Sequence, residues 1–383
     1  MKIAHTADWH LGKIIFQTKL LEEQSFLLDD FCRSLQEQSP DVLIIAGDVY
    51  DRSVPPSDAV ELLDLTLKRI IIDLKIPVLM ISGNHDSPER LHFGSSFMRH
   101  MGLHVKGKLD GFDEPLTFED EYGPVDFFLL PYADPAEVKA FLEDETIHTH
   151  QRAYETLIMR MKANKIPQRR SVLITHAFIA GGTESESERP LSVGGTGVVD
   201  AALFNDFTFT ALGHLHRPQD IVKDTIHYSG SLMKYSFSEA LHTKSYSLIE
   251  LTEDTVSIQR IPLTPKRDLR IVKGTFEEIL VKGNNDSNNE DFILAVIEEE
   301  KAILNPIEKL RAVYPNIMKI ERAFDPFERT SKLTVRERES KSDTELFQAF
   351  FEQVTTKETV YTDEMKSVVE DIFSTIYKED DPS

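Results

Sequence analysis

A single cysteine, Cys32, in 383 residues excludes an internal disulfide and a cage of thiolates around a metal. Any bound metal must therefore be held by His, Asp, Asn or Glu. No stretch approaches the roughly 18 to 20 consecutive apolar residues that a membrane span requires. The start, Met1-Lys2-Ile3-Ala4-His5-Thr6, runs directly into an expected strand instead of a charged-then-apolar leader. A soluble, cytoplasmic chain with no membrane role is expected. There is no Walker-type glycine loop and no internal repeat, so nucleotide hydrolysis and solenoid architecture are not expected. Positive charge is also scarce: 43 Lys and Arg stand against 65 Asp and Glu, a formal net charge of -22. Taken alone, that balance argues against the basic footprint of a nucleic-acid binder.

What is present is a run of short apolar segments that end in polar motifs. The length suits one large domain with one or two smaller ones, and 40% apolar residues suffice for a core. β-Branched runs stand at Lys2-His5, Val42-Ala46, Val78-Ile81, Phe127-Leu130, Val172-Thr175 and Phe207-Leu212. Between them, apolar spacings of three and four predict helices over Leu20-Gln38, Ser57-Leu74, Pro135-Leu142 and Tyr154-Ala163. From His227 to Ile261 the pattern turns strand-rich and antiparallel in character. Pro262 and Pro265 then mark a linker, because two prolines this close interrupt both helix and ladder. Beyond it, Leu269-Glu321 reads as a small β-α-β-α-β domain. A charged, pattern-poor stretch follows Phe324, and then two helices over Asp343-Gln353 and Thr362-Tyr377, each with an apolar face. Those faces suit either mutual packing or a partner helix.

Five clusters carry the chemistry: Asp8-Trp9-His10, Gly47-Asp48-Val49-Tyr50-Asp51, Gly83-Asn84-His85-Asp86, an isolated His176, and Gly213-His214-Leu215-His216. Two divalent ions about 3.5 to 4 Å apart can clamp a phosphate and activate water if one carboxylate bridges them and neutral donors complete each shell. Asp48, after Gly47, is the natural bridge, and the glycine lets the backbone come close to the ions. On an extended chain Asp8 and His10 point the same way, as do His214 and His216. Asn84 offers a neutral oxygen and His176 a further imidazole. A mixed imidazole and carboxylate set favours manganese, iron or zinc over magnesium, with manganese first. An isolated Asp-x-His or Gly-Asp is more often a turn; all five clusters in order at strand ends are not.

In these motifs the chain resembles the calcineurin-like metallophosphoesterases. In Ala211-Leu212-Gly213-His214-Leu215-His216-Arg217-Pro218-Gln219 and in the stretch from Tyr228 to Glu239 it resembles, more narrowly, the SbcD family of nuclease subunits in double-strand-break repair complexes. The resemblance implies that Asp8, His10, Asp48 and His216 hold one ion and Asp48, Asn84, His176 and His214 the other, both Mn²⁺. It implies that His85 donates a proton or stabilises the transition state and that Asp51 orients it. It further implies exonuclease action on duplex DNA ends and endonuclease action on hairpins or single strands. The implied assembly is a homodimer within a heterotetramer, alongside SbcC, an SMC-type coiled-coil ATPase. Chemistry favours the same part for His85, since a histidine that served as a ligand could not also move protons.

The expected fold is α/β, a four-layer α/β/β/α metallophosphoesterase sandwich over residues 1-261. A capping domain follows over 266-323, and a flexible linker with C-terminal helices over 324-383 forms the docking region for the ATPase. Two liganded ions leave the site near +2, enough for one phosphate but not for a long duplex, whose affinity comes from neutralising many. Arg90, Arg189, Arg217 and Lys234 are candidate contacts, and the helical stretches after Pro55 and Gly94 are candidates for pairing subunits. One rival is a phosphoprotein phosphatase, because Gly47-Asp48-Val49-Tyr50-Asp51-Arg52 nearly matches that group's motif; Ser53 stands where it has glycine. Another rival is a non-catalytic scaffold, which an intact ligand set and an intact His85 disfavour.

Overall fold

The computed structural model describes the chain except residues 189-196, 300-302, 324-341, 355-360 and 380-383. Arg189 and the expected linker of 324-340 lie outside the described residues.

In chain order the strands of the large unit are Lys2–Thr6 (β1), Ile14–Ile15 (β2), Thr18–Lys19 (β3), Val42–Ala46 (β4), Val78–Ile81 (β5), Leu103–Lys106 (β6), Leu116–Asp120 (β7) and Gly123–Leu130 (β8). There follow Arg170–His176 (β9), Phe178–Ile179 (β10), Val198–Val199 (β11), Phe209–Gly213 (β12), Gln219–Val222 (β13), Ile226–Tyr228 (β14), Ser245–Leu251 (β15) and Val256–Pro262 (β16). They build two six-stranded sheets, ordered β16-β15-β1-β4-β5-β6 and β13-β14-β12-β9-β8-β7. Four adjacent strands of each, β1, β4, β5 and β6 in one and β8, β9, β12 and β14 in the other, run parallel, so their carboxyl ends share an edge.

Period-two patterning explains how the sheets stack. Val42, Ile44, Leu79 and Ile81 from the first sheet meet Val125, Phe127, Leu129, Val172 and Ile174 from the second in one buried cluster. The alternate residues Phe128, Leu130, Leu173 and Leu212 point the other way, onto Tyr154, Leu157, Ile158 and Met161 of the helix His150–Asn164. The helix Leu21–Gln38 covers the other sheet, with the Phe31 ring edge-on to Trp9 and Tyr246. Helix, sheet, sheet, helix is the expected four-layer sandwich. Burial on both faces is why β4 reads as an unbroken apolar run instead of an alternation.

The expectation at Ile226–Tyr228 needs refinement. It pairs antiparallel with β13 but in parallel with β12, both in the second sheet, while β15 and β16 form an antiparallel pair in the first. The sequence pattern missed the short helix Pro88–His92, whose five residues hold too few turns for an apolar spacing to register, while the helical stretch expected after Gly94 is the short helix Ser95–Met98.

The chain divides into two compact units, one of Met1–Ile271 with Ser287–Leu294 and Tyr314–Lys319, the other of Val272–Asp286, Ala295–Val313 and Ile320–Ser383. Strands Leu269–Gly274 (β17), Phe292–Ile297 (β18) and Ile317–Arg322 (β19) form a three-stranded sheet. Helices Phe276–Asn284 and Pro306–Arg311 connect them in sequence. The first is closed at its start by a reciprocal capping box of Thr275 and Glu278. Of the last two helices, Asp343–Val354 carries Phe347 and Phe351 against the ring of Tyr361. Asp363–Glu379 exposes Met365, Val368 and Ile372. Among the described residues no helix is long and apolar enough to cross a membrane.

Candidate metal centre

All five motifs come together at the carboxyl edge of the two sheets. Asp8 and His10 follow β1, Asp48 follows β4, Asn84 and His85 follow β5, His176 ends β9, and His214 and His216 follow β12. Main-chain bonds from Asp8 N–H to Gly47 O (3.1 Å) and from His10 N–H to Asp48 O (3.0 Å) knit the first two motifs.

Extended backbone does not aim the ligands. β1 stops at Thr6, and Asp8, His10 and Asp48 all take left-handed φ values of 55°, 44° and 49°, with His214 at 107°. Such conformations cost of order 1–3 kcal/mol each and persist only where surroundings impose them. They turn the chain back on itself, which the expected period-two geometry could not do.

Among the described residues, three sets of side chains present ligand atoms within 4.8 Å of one another: Asp8, His10 and His216; Asp8, Asp48 and His176; and His10, Asp51 and His85. Asp48 Oδ2 lies 3.6 Å from both His10 Nε2 and His176 Nε2, a bridging position. Asn84 Oδ1 lies 2.9 Å from His176 Nε2. His176 Nδ1 faces Ala46 O at 2.9 Å. A carbonyl can only accept, so Nδ1 carries the proton and Nε2 offers its lone pair to the centre. His214 holds Asp8 by donating its N–H to both carboxylate oxygens (3.0 and 3.1 Å). Its ring Nε2 is buried with no hydrogen-bond partner among the described residues.

The electrostatics fit cations. Burial, followed by the neighbouring Asp48 charge, drives the Asp8 carboxyl well above the usual range. Burial first, and neighbouring imidazoles next, push His10 and His214 well below theirs, and burial also lowers His176. Neutral imidazoles beside crowded carboxylates and an orphaned ring nitrogen are the donor set that a divalent transition metal completes. The residues present fit such ions.

His85 stands slightly apart. Its N–H donates to Asp48 Oδ1 (2.9 Å), its Nε2 lies 4.0 Å from Asp48 Oδ2, and its ring meets His10 edge-on at 4.7 Å. Its Nδ1 is held by the main-chain carbonyl of Asp51 at 2.8 Å. The carboxylate of Asp51 goes elsewhere, to Lys13 Nζ at 2.8 Å and to within 3.8 Å of His10 Nδ1. The Asp51 atom that meets the His85 ring is thus its main-chain oxygen, an atom that no motif can specify.

Several contributors escaped the sequence reading. Asp86 accepts N–H bonds from Val49, Tyr50 and Gly83, clamping the second motif to the third. Burial, then Asp48, pushes its carboxyl up to about 7. Gln24 donates to the carbonyls of Trp9 and His10. A glutamine at a core position of an amphipathic helix was the available signal. Of the basic candidates, Arg90 and Arg217 are exposed. Lys234 is not free for DNA, since it is buried and bound to Asp268 and to Ala240 O.

The chain belongs to the calcineurin-like phosphoesterases, whose family matches residues 1–218. Residues 265–355 match a second family, described as the type 5 capsule protein repressor C-terminal domain. Over 318 residues the chain is 37% identical to the D subunit of nuclease SbcCD from Staphylococcus saprophyticus, covering 83% of this chain and 84% of that protein; within the superfamily it belongs to the SbcD nucleases. Among solved structures, the TT1561 protein of Thermus thermophilus aligns with TM-score 0.41 and 12% identity over 68% of this chain and 98% of its own. A dimetal phosphatase from Danio rerio aligns with TM-score 0.42 and 12% identity over 69% and 98%.

Proposed function

We propose that this chain is a two-metal DNA nuclease whose ligands are Asp8, His10, Asp48, Asn84, His176, His214 and His216, with Mn²⁺ as the working ion. The observation that carries the reading is the bridging position of Asp48 between two imidazole-bearing half-sites, with His85 held beside them by Asp51 O. When bound, the ions supply positive charge for the phosphate and lower the pKa of the attacking water. His85 Nε2 holds the proton delivered to the departing sugar oxygen, and the Asp48 carboxylate keeps that residue close by accepting the His85 main-chain N–H. The left-handed turns at Asp8, His10 and Asp48 orient the carboxylates before substrate arrives.

The acidic body needs help to hold a duplex. A second copy of the chain and an SbcC-like SMC-type ATPase supply it in this reading, which places the protein in the cytoplasm with chromosomal DNA. Support for pairing lies in the helix Ser57–Lys68 and the stretch 88–101, which expose Val60, Phe93, Met98 and Met101 around a groove of about 760 Å³. Support for ATPase docking lies in the exposed Val368 and Ile372 of the final helix. Truncation before Phe324 is expected to keep metal binding and abolish co-purification with the ATPase.

The deciding experiment incubates the protein with Mn²⁺ and labelled linear duplex, hairpin and single-stranded DNA beside an aryl phosphate, with and without the ATPase and ATP. Cleavage of duplex ends and hairpins supports the reading. Aryl phosphate hydrolysis without DNA cleavage would reject it in favour of a phosphatase.

A further inference from the structure

His216 is fixed by a chain of buried and half-buried polar groups that the five motifs do not contain. Its Nδ1 lies 2.7 Å from Ser187 Oγ, and that hydroxyl donates to Glu239 Oε1 at 2.5 Å. Glu239 Oε2 accepts from Lys244 Nζ at 2.5 Å. Oε1 also receives the Tyr235 N–H and the Ser236 hydroxyl, each at 3.2 Å. Glu239 is fully buried and Lys244 nearly so. The same lysine reaches His216 O at 2.7 Å, and Glu188 accepts the His216 N–H at 2.7 Å. Both backbone polar groups and one ring nitrogen of a single residue are thus held at once.

The consequence for the ring follows from proton counting. A carboxylate can only accept, and a serine hydroxyl has one proton to give. With that proton committed to Glu239, Ser187 Oγ can only accept from His216, so the imidazole must carry its proton on Nδ1 and keep the lone pair on Nε2. Nε2 is the atom 3.1 Å from His10 Nε2 in the cluster with Asp8. We propose that Ser187 and Glu239 are positioning residues of the metal centre, the Lys244–Glu239–Ser187 relay setting the His216 tautomer and with it the affinity for one divalent ion. This rests on the two-metal reading above. A free His216 ring could take either tautomer or turn away from the cluster, and loss of such an outer partner typically weakens metal binding about 10- to 100-fold.

The test uses the full chain stripped of metal and titrated calorimetrically with Mn²⁺, comparing wild type, Ser187→Ala and Ser187→Thr, with melting of each metal-free protein recorded alongside. Two ions are expected on the wild type. Ser187→Ala should weaken one of the two steps by about 10- to 100-fold while metal-free melting stays the same. Ser187→Thr, which keeps the hydroxyl, should restore it. Nitrogen-15 spectra of histidine side chains in the metal-free protein should show His216 protonated on Nδ1 in the wild type and in Ser187→Thr, but not uniformly so in Ser187→Ala. Unchanged affinities in Ser187→Ala on a two-ion wild type, or an equal loss in Ser187→Thr, would overturn the relay alone. Fewer than two ions on the wild type would overturn the two-metal reading and the relay with it.

Discussion

Replacing Gly213 with alanine puts a single methyl group where the two sheets come closest to the site. The Cβ would stand 1.9 Å from Ala46 O and 2.8 Å from His176 Nδ1. Carbon and oxygen normally meet at roughly 3.5 Å, so the Ala46 carbonyl must retreat by on the order of an ångström or more. That carbonyl is the acceptor that fixes the His176 ring. Two effects should therefore separate. Overpacking of this kind costs about 1–3 kcal/mol, which in a domain this large lowers the metal-free Tm by roughly 2–12 °C. Misaiming His176 should weaken one ion by about 10- to 100-fold. With Mn²⁺ set at a hundred times the wild-type Kd, that site contributes about 2.7 kcal/mol of stabilisation, and a hundredfold loss reduces it to about 0.4 kcal/mol. Calorimetric melts with and without Mn²⁺ read both numbers. A Gly213→Ala protein that melts with the wild type and gains as much from manganese would refute the close approach and the part given to His176.

Further tests address the chemistry and the core. His85→Ala should bind both ions by calorimetry yet lose about 10²- to 10⁴-fold in DNA cleavage; loss of an ion would instead make His85 a ligand. Phe127→Ala, which opens a cavity between the sheets, should cost about 3–5 kcal/mol in urea denaturation. A cost below about 1 kcal/mol would contradict its burial there. Asp120 is bound by both Arg170 nitrogens, and those hydrogen bonds hold its carboxyl well below the usual carboxylate range. Its contribution is therefore fully present above the unfolded pKa near 4 and lost as pH falls through the lower folded value. Asp120→Asn should remove that contribution at neutral pH and flatten the acid limb of a stability-versus-pH curve, and an unchanged limb would count against it. Cys32, 2% exposed and with its thiol pushed by burial up to about 11, should resist a thiol-specific aromatic disulfide until the protein is denatured. Rapid reaction in the native state would show that the helix Leu21–Gln38 does not cover it.

Strands such as Val42–Ala46 and Val78–Ile81 were legible to the residue because burial on both faces leaves an unbroken apolar run with polar punctuation. The ligand candidates were legible because imidazole and carboxylate at five strand ends have few other uses. The clamp made by Asp86 and the parts of Ser187, Glu239 and Lys244 were not, since each is an ordinary polar residue until folding supplies its partner.

Residue types and local periodicity alone settled where the long helices and the central strands lie, which donors are available to a cation, and that sulfur is not among them. Tertiary structure alone decided that Asp51 serves His85 through its carbonyl, that Lys234 is spent on Asp268, and that His216 answers to Ser187. The division has a physical cause. Apolar patterning reports burial one element at a time, whereas the direction of a proton in a hydrogen bond depends on atoms that folding brings within about 3 Å from different segments of the chain.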